Sequence, residues 1–373
     1  MRKYFDECDY LIHLVRCAVH DLQPRELPKG LDFQRVYEWG LYHQIGNIAF
    51  CSVEKLKTKP REALYRRWQD CRDQAIVLDI TQNYAAMEIR DAFQNAGIRV
   101  LEVQGTKIKP LYPQSNWRTM SDLDFIIDPE NLSKAMELLE KLGYRCQNIQ
   151  GIHVDAHRPP NINVELHTEF FEEDAKYRQV LRSPFARVDE QGQCPCDVFY
   201  LYNILHITKH YFSAGCGIRR VLDAYYLNQV YGPVIDAEQI HHALETINAG
   251  QFAADLGKLA QAWFGLEETR YHRNKLAEHI IHAGLHGNLL NEWQYHMEEK
   301  FDSTIRFAKL RYYLRRFFGT DGVLRKRYPV LQRYPILYPF CWFLRVVSTL
   351  SPNSLKRVRR EVKTIQQIAE TEE

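Results

Sequence analysis

The chain has 373 residues, enough for a sizeable core and two or three packed units. With 45% hydrophobic and 26% charged residues and a mean hydropathy of -0.43, it is neither fibrous nor extensively disordered. Net charge is +2, but residues 301–363 carry 15 Lys/Arg against 3 Asp/Glu, a local +12 that predicts an anionic partner for this segment.

In chain order, Met1-Arg-Lys-Tyr-Phe-Asp-Glu7 has acids where a signal peptide needs its apolar core, which predicts a cytoplasmic protein. Residues 1–95 read as an N-terminal helical segment. Apolar residues recur at three- and four-residue spacing around 33–43, and Val77, Ile80, Tyr84 and Met87 mark a long amphipathic helix over 72–95. Gly97 is placed to end it.

The pattern then changes over 96–192. Ile98 to Val103 predicts a strand, Gly105-Thr106 a tight turn, and Lys107 to Tyr112 a short helix stopped by Pro113. Ser121 to Ile127 predicts a second strand, with Leu123, Phe125 and Ile127 on one face and Asp122 and Asp124 on the other. Asp128-Pro129 starts a helix with a buried stripe of Leu132, Met136 and Leu139, closed by Gly143. Tyr144 to Cys146, Ile152 to Ala156 and Ile162 to Leu166 are further strand candidates, the last two joined by a Pro159-Pro160-Asn161 turn.

A helical period returns over 193–300, with Leu201, Leu205, Thr208 and Phe212 on one stripe and further helices at 223–231 and 237–248. The basic segment 301–373 also reads as helical. Its apolar stretch 335–350 is too short for a membrane span and is broken by Pro339 and Arg345. Nine scattered cysteines include no Cys-x-x-Cys pair, which predicts reduced thiols rather than a zinc site.

The chemistry concentrates between Gly105 and Glu165. An Asp-x-Asp pair on a strand projects two carboxylates from one face, as two closely spaced divalent ions require. Such ions polarise an α-phosphate and stabilise a pyrophosphate leaving group. On the third strand candidate, Asn163, Glu165 and His167 share a face, so Glu165 offers a third carboxylate or a proton acceptor. Asp122, Asp124 and Glu165 are therefore the candidate catalytic and metal-binding residues. Gly105, Thr106, Lys107, Arg118 and Ser121 are the candidate nucleotide and phosphate contacts.

His167, His206, His210 and Asp223 are candidate cleft residues. His206 and His210 fall at i and i+4 without the glutamate of a zinc-protease helix, so packing or hydrogen bonding is the simpler expectation. Arg219 and Arg220 reach toward a phosphate or lie on the surface in ion pairs, and His153 and His157 share a strand face near Glu165.

The order of strand, Gly-Thr turn, helix, Asp-x-Asp strand and carboxylate strand resembles the nucleotidyltransferase superfamily that includes DNA polymerase beta and kanamycin nucleotidyltransferase. More closely, the chain resembles a bacterial family of uncharacterised nucleotidyltransferases. The likeness runs through Trp39 and His43, Gly105, Leu111-Tyr112-Pro113, Arg118-x-Met120-Ser121-Asp122-Leu123-Asp124, Leu142-Gly143-Tyr144, Val164-Glu165-Leu166-His167, His206, His210, Asp223 and Arg327-Tyr328-Pro329.

The resemblance implies an α+β protein with a small mixed-sheet nucleotidyltransferase core, flanked by an N-terminal helical segment and a C-terminal all-helical domain. It also implies transfer of a nucleoside monophosphate, expected to be AMP, from an NTP to a hydroxyl acceptor. Two Mg²⁺ or Mn²⁺ ions would assist, with Asp122 and Asp124 as ligands and Gly105 in the phosphate loop. The family's usual Lys-Gly turn is Gln104-Gly105 here, so Lys107 or Lys109 would have to supply the missing charge. Two alternatives remain open: a catalytically weak or silent nucleotide-binding protein of the same fold, and a membrane- or nucleic-acid-associated factor acting through its basic segment.

Overall fold

The computed structural model describes residues 6–149, 153–171, 174–188, 193–213, 215–267 and 274–284. All of these belong to the first of two contact-dense units, which spans Met1–Glu292. The basic segment 301–373 and the expectation of an anionic partner there lie outside the described residues.

Three helices open the fold: α1 (Glu7–Val19), α2 (Phe33–Tyr42) and α3 (Gly46–Val53). Asp6 and Asp32 cap the first two by accepting the backbone N–H groups of Asp9 and Gln34. The 34-residue helix α4 (Glu62–Asn95) follows. Gly97, at φ +73°, turns the chain out of it, with the Ile98 N–H returning to the Phe93 carbonyl.

A five-stranded mixed sheet comes next. Its strands are β1 (Val100–Glu102), β2 (Leu123–Ile127), β3 (Arg145–Ile149), β4 (His153–Arg158) and β5 (Ile162–His167), in the order β1-β2-β5-β4-β3. Only β2 and β5 run parallel among these pairs. Between β1 and β2 lie the one-turn helix α5 (Gly105–Ile108) and a loop with two short 3-10 turns. Thus Gly105 begins the helix expected two residues later. The helix α6 (Leu132–Lys141) links β2 to β3.

After β5 come the single turn α7 (Ala175–Arg178) and then α8 (Cys196–Ser213), α9 (Ile218–Tyr231), α10 (Ala237–Glu245), α11 (Gly250–Phe264) and α12 (Lys275–Ala283). The result is the expected α+β architecture, a small mixed sheet among helices. No helix among the described residues is long and apolar enough to cross a membrane. The eight described cysteines are free thiols.

The sheet has two differently used faces. Leu123, Phe125, Ile127, Val154, Val164 and Leu166 pack against Ala85, Ile89 and Phe93 of α4 and Leu132, Ala135 and Leu139 of α6. On the other face, Leu101, Val103 and Ile126 meet Phe170, Phe171, Tyr202, Leu205 and Leu244. A third cluster joins α1–α3 and Trp68 of α4 to α9, α11 and α12, so helices from both ends of the described chain share one core.

The burial of α4 departs from its hydrophobic pattern. Val77, Ile80 and Tyr84 are each more than 60% exposed, whereas Asp79 and Gln82 are buried. The cause is the loop after α5. Lys109 Nζ donates to Asp79 Oδ1 at 2.8 Å, the Ser115 hydroxyl to Asp79 Oδ2 at 2.6 Å, and Gln82 Nε2 to the Met120 carbonyl at 3.0 Å. The inward face of this stretch is polar because it satisfies a polar loop, and the apolar stripe is left facing out.

From the far side, Arg118 of the same loop is buried against Asp223 of α9, with Nε 2.7 Å from Oδ1. The Tyr112 hydroxyl donates to that same oxygen at 2.7 Å.

Two outcomes follow. Arg118→Met leaves the buried Asp223 carboxylate with Arg220 alone, 3.7 Å from its other oxygen, and should lower unfolding free energy by about 3 kcal/mol in denaturant titration. Arg118→Met combined with Asp223→Leu should cost less than the sum of the single changes.

His43 is buried, stacks on Trp39, and its Nδ1 accepts the Ile218 N–H at 3.2 Å, so burial holds it neutral down to about 3. Its folded pKa lies below the unfolded one, so only the unfolded chain takes up this proton between about pH 6.5 and 3. Stability should fall as pH drops below about 6.5, by roughly 1.4 kcal/mol per pH unit for this group. The same dependence should weaken in His43→Gln, read by thermal melts across pH.

Candidate active site

β2 and β5 pair in parallel, with Asp124 directly opposite Glu165 and Leu123 opposite Val164. The two-residue period sends Leu123, Phe125, Val164 and Leu166 to the α4 side and turns Asp124, Glu165 and His167 to the other. Asp122 stands one residue before β2 begins. These side chains floor a cleft of about 460 Å³, within the usual range for small-molecule sites of about 300–1,000 Å³. Tyr202, His206, Lys209 and His210 of α8, with Arg219 and Arg220 of α9, supply other lining, as do Phe170 and Phe171.

Charge on the floor is crowded. His167 Nε2 lies 3.5 Å from Asp124 Oδ1 and 3.3 Å from Glu165 Oε2. One ligand atom from each of these three residues fits within 4.8 Å of the others, a grouping able to hold a metal ion. Asp122 falls outside that set but feels both neighbouring acids. Burial, then Asp124 and Glu165, push its carboxyl up to about 7. Glu165 moves the other way, held below its ordinary range by a hydrogen bond from His167.

The cationic lining is built by the loop and α9 together. Arg118 lines the cleft while its guanidinium also donates to the Thr119 carbonyl at 2.7 Å. Arg219 Nη1 donates to that same carbonyl at 2.9 Å, to the Thr119 hydroxyl oxygen at 3.0 Å and to Gln44 Oε1 at 2.7 Å. Arg219 is therefore a buried brace, not a surface residue. Asp223 does not line the cleft. It lies beneath, binding Arg118 and standing 3.7 Å from Arg220 Nη1. Lys209 Nζ sits 5.9 Å from the centre of the Phe171 ring and forms no ion pair among the described residues.

Gln104, Gly105 and Ser121 line the cleft; Thr106 and Lys107 are not among its lining residues. A Cβ on Gly105 would lie 2.0 Å from Met120 Sδ, so any larger residue there would displace the Met120 thioether. Gln104 and Tyr202 line the cleft together. Lys107 is exposed, and the buried ion pair with Asp79 occupies Lys109. Neither is placed to restore a lysine's charge at position 104.

His206 and His210 both line the cleft, their Nε2 atoms 2.7 Å apart, so one ring donates and the other accepts. Burial and then His210 push the His206 pKa well down. His153 lines the cleft, whereas His157 is exposed and bonds Asn163 Oδ1 at 2.8 Å. Sequence reasoning missed Tyr202 and Lys209. With His206 and His210 they form an i, i+4, i+7, i+8 stripe, which the helical period already contained.

The crowded acids on adjacent parallel strands facing arginines and a lysine have a counterpart in sequence. Residues 29–265, more than half of the chain and including every residue of the acidic floor, match the family described as uncharacterised nucleotidyltransferase. Comparisons with curated proteins and with solved structures find no match. On the extent of that match, the chain belongs to this nucleotidyltransferase family.

Proposed function

We propose that the cleft transfers a nucleoside monophosphate, expected to be AMP, from a nucleoside triphosphate to a hydroxyl acceptor and releases pyrophosphate. One observation carries this reading: Asp124 and Glu165 sit opposite each other on parallel strands, beside Asp122 and within a cleft also lined by cations.

The donor set fits a divalent metal. Asp122, Asp124 and Glu165 offer hard oxygens of the kind Mg²⁺ and Mn²⁺ take. Burial and then the negative charge of Asp124 and Glu165 push Asp122 up to about 7, and a bound cation would offset the second of these. These three residues would hold the two expected ions. When bound, the ions neutralise phosphate charge during attack and departure.

The chain's own residues do the rest. Lys209 and Arg220 bind polyphosphate oxygens by charge-assisted hydrogen bonds, while Asp223 keeps Arg118 in place beside Asp122. The acceptor oxygen bonds to the α-phosphorus as that atom's bond to the bridging oxygen of pyrophosphate breaks. The hydroxyl proton passes to a floor carboxylate.

A second reading, nucleotide binding without turnover, draws support from Gln104 and from the engagement of Lys109 with Asp79. Incubation with each labelled NTP, Mg²⁺ or Mn²⁺, and a range of hydroxyl acceptors separates the two readings by pyrophosphate release. Asp122→Asn and Asp124→Asn should each reduce transfer by roughly 10²–10³-fold. The circular dichroism spectrum should remain native, and Asp122→Asn should melt no lower than the parent because it relieves repulsion. Undiminished transfer in either variant would sink the site assignment. Lys209→Ala should weaken NTP binding by roughly 10- to 100-fold, the scale of one lost charged hydrogen bond.

A further inference from the structure

We propose that His167 is a direct metal ligand and that the Asp124–Glu165 position takes a first-row transition ion in preference to Mg²⁺. This rests on the carboxylate-centred reading of the cleft and adds the chemical class of its ion.

Glu165 and His167 are two residues apart on β5, so the backbone presents both to the cleft, and the parallel register brings Asp124 to Glu165. His167 Nε2 lies 3.5 Å and 3.3 Å from one oxygen of each acid. Two ligands about 2.1 Å from one ion stand about 3.0 Å apart at right angles and about 3.4 Å apart in a tetrahedron. Both His167 spacings match donors around a shared centre, and the three ligand atoms all lie within 4.8 Å of one another.

The donor chemistry then selects the ion. Mg²⁺ is hard, keeps its waters and takes oxygen ligands. Imidazole suits the later transition ions, whose affinity for mixed N/O sites rises from Mn²⁺ toward Co²⁺ and Zn²⁺. One imidazole beside two carboxylates tilts the position away from Mg²⁺. Asp122 stands outside this group.

Mn²⁺ is the paramagnetic probe for the test, used alone and with a non-hydrolysable NTP. Electron spin-echo modulation reports whether a ¹⁴N nucleus is directly bonded to the ion. The wild-type chain should show imidazole nitrogen coordination, His167→Gln should lose it, and His157→Gln, on the neighbouring strand and exposed, should keep it. By calorimetry, His167→Gln should lower Co²⁺ affinity by about tenfold or more and leave Mg²⁺ affinity within about threefold. Thermal melts of each variant check that it remains folded.

Mn²⁺ bound in an Asp124-dependent manner without ¹⁴N coordination would overturn the role of His167 while leaving the carboxylate centre standing. Nitrogen coordination that persists in His167→Gln would also overturn it. Failure of the folded wild-type chain to bind Mn²⁺, with or without nucleotide, would overturn the metal-dependent reading as well.

Discussion

The buried pair of Arg118 and Asp223 is the constraint on which the cleft's assembly depends. A poorly compensated charge inside a protein costs several kcal/mol, and Arg118 is the nearer of the two cations that Asp223 meets. Arg118 and Asp223 are 105 positions apart in the chain, and each belongs to a different part of the site. Arg118 precedes the acidic floor by four residues, while Asp223 lies on the helix that carries Arg219 and Arg220. Closing this pair brings the negative floor and the positive α9 residues to one cleft. Arg219 then secures the same loop through Thr119 and reaches back to Gln44 near the N-terminal helices.

The loop is held from a second direction by polar groups that a core helix ordinarily avoids. Asp79 accepts from Lys109 and Ser115, and Gln82 supports the carbonyl of Met120. Asn47 of α3 donates to the carbonyls of Asn116 and Trp117. A segment with almost no regular structure is thereby fixed beside the catalytic candidates, its backbone groups satisfied by side chains from helices on both sides. Such fixed geometry lets a few charges act together on a substrate.

Much of this was legible in the sequence, for identifiable reasons. The alternation in β2 and β5 reports directly on which side chains share a face, so Asp122, Asp124, Glu165 and His167 could be grouped before any fold was known. Register between the two strands is a long-range property, and only the structure sets Asp124 opposite Glu165. The α4 stripe misled because hydrophobic periodicity assumes an apolar interior. Here the inward face meets a polar loop, and Val77, Ile80 and Tyr84 point out. Lys109 misled similarly, since nothing near it in sequence reveals that Asp79, 30 residues earlier, would claim its charge. Lys209 and Tyr202 share the helical stripe of His206 and His210, so the sequence carries a signal for them too.

α4 also acts as a phase-setting rod. At about 1.5 Å per residue its 34 residues extend about 51 Å. Along that length it places Trp68 in the helical core, Asp79 and Gln82 against the loop, and Ile89 and Phe93 beneath the sheet. Each added or deleted residue rotates everything beyond it by about 100°. A single insertion between Trp68 and Asp79 would turn the loop anchors and the sheet-facing residues away from their partners at once. Substitutions can drift along this helix one position at a time, but its residue count between those anchors is locked to the shape of the cleft.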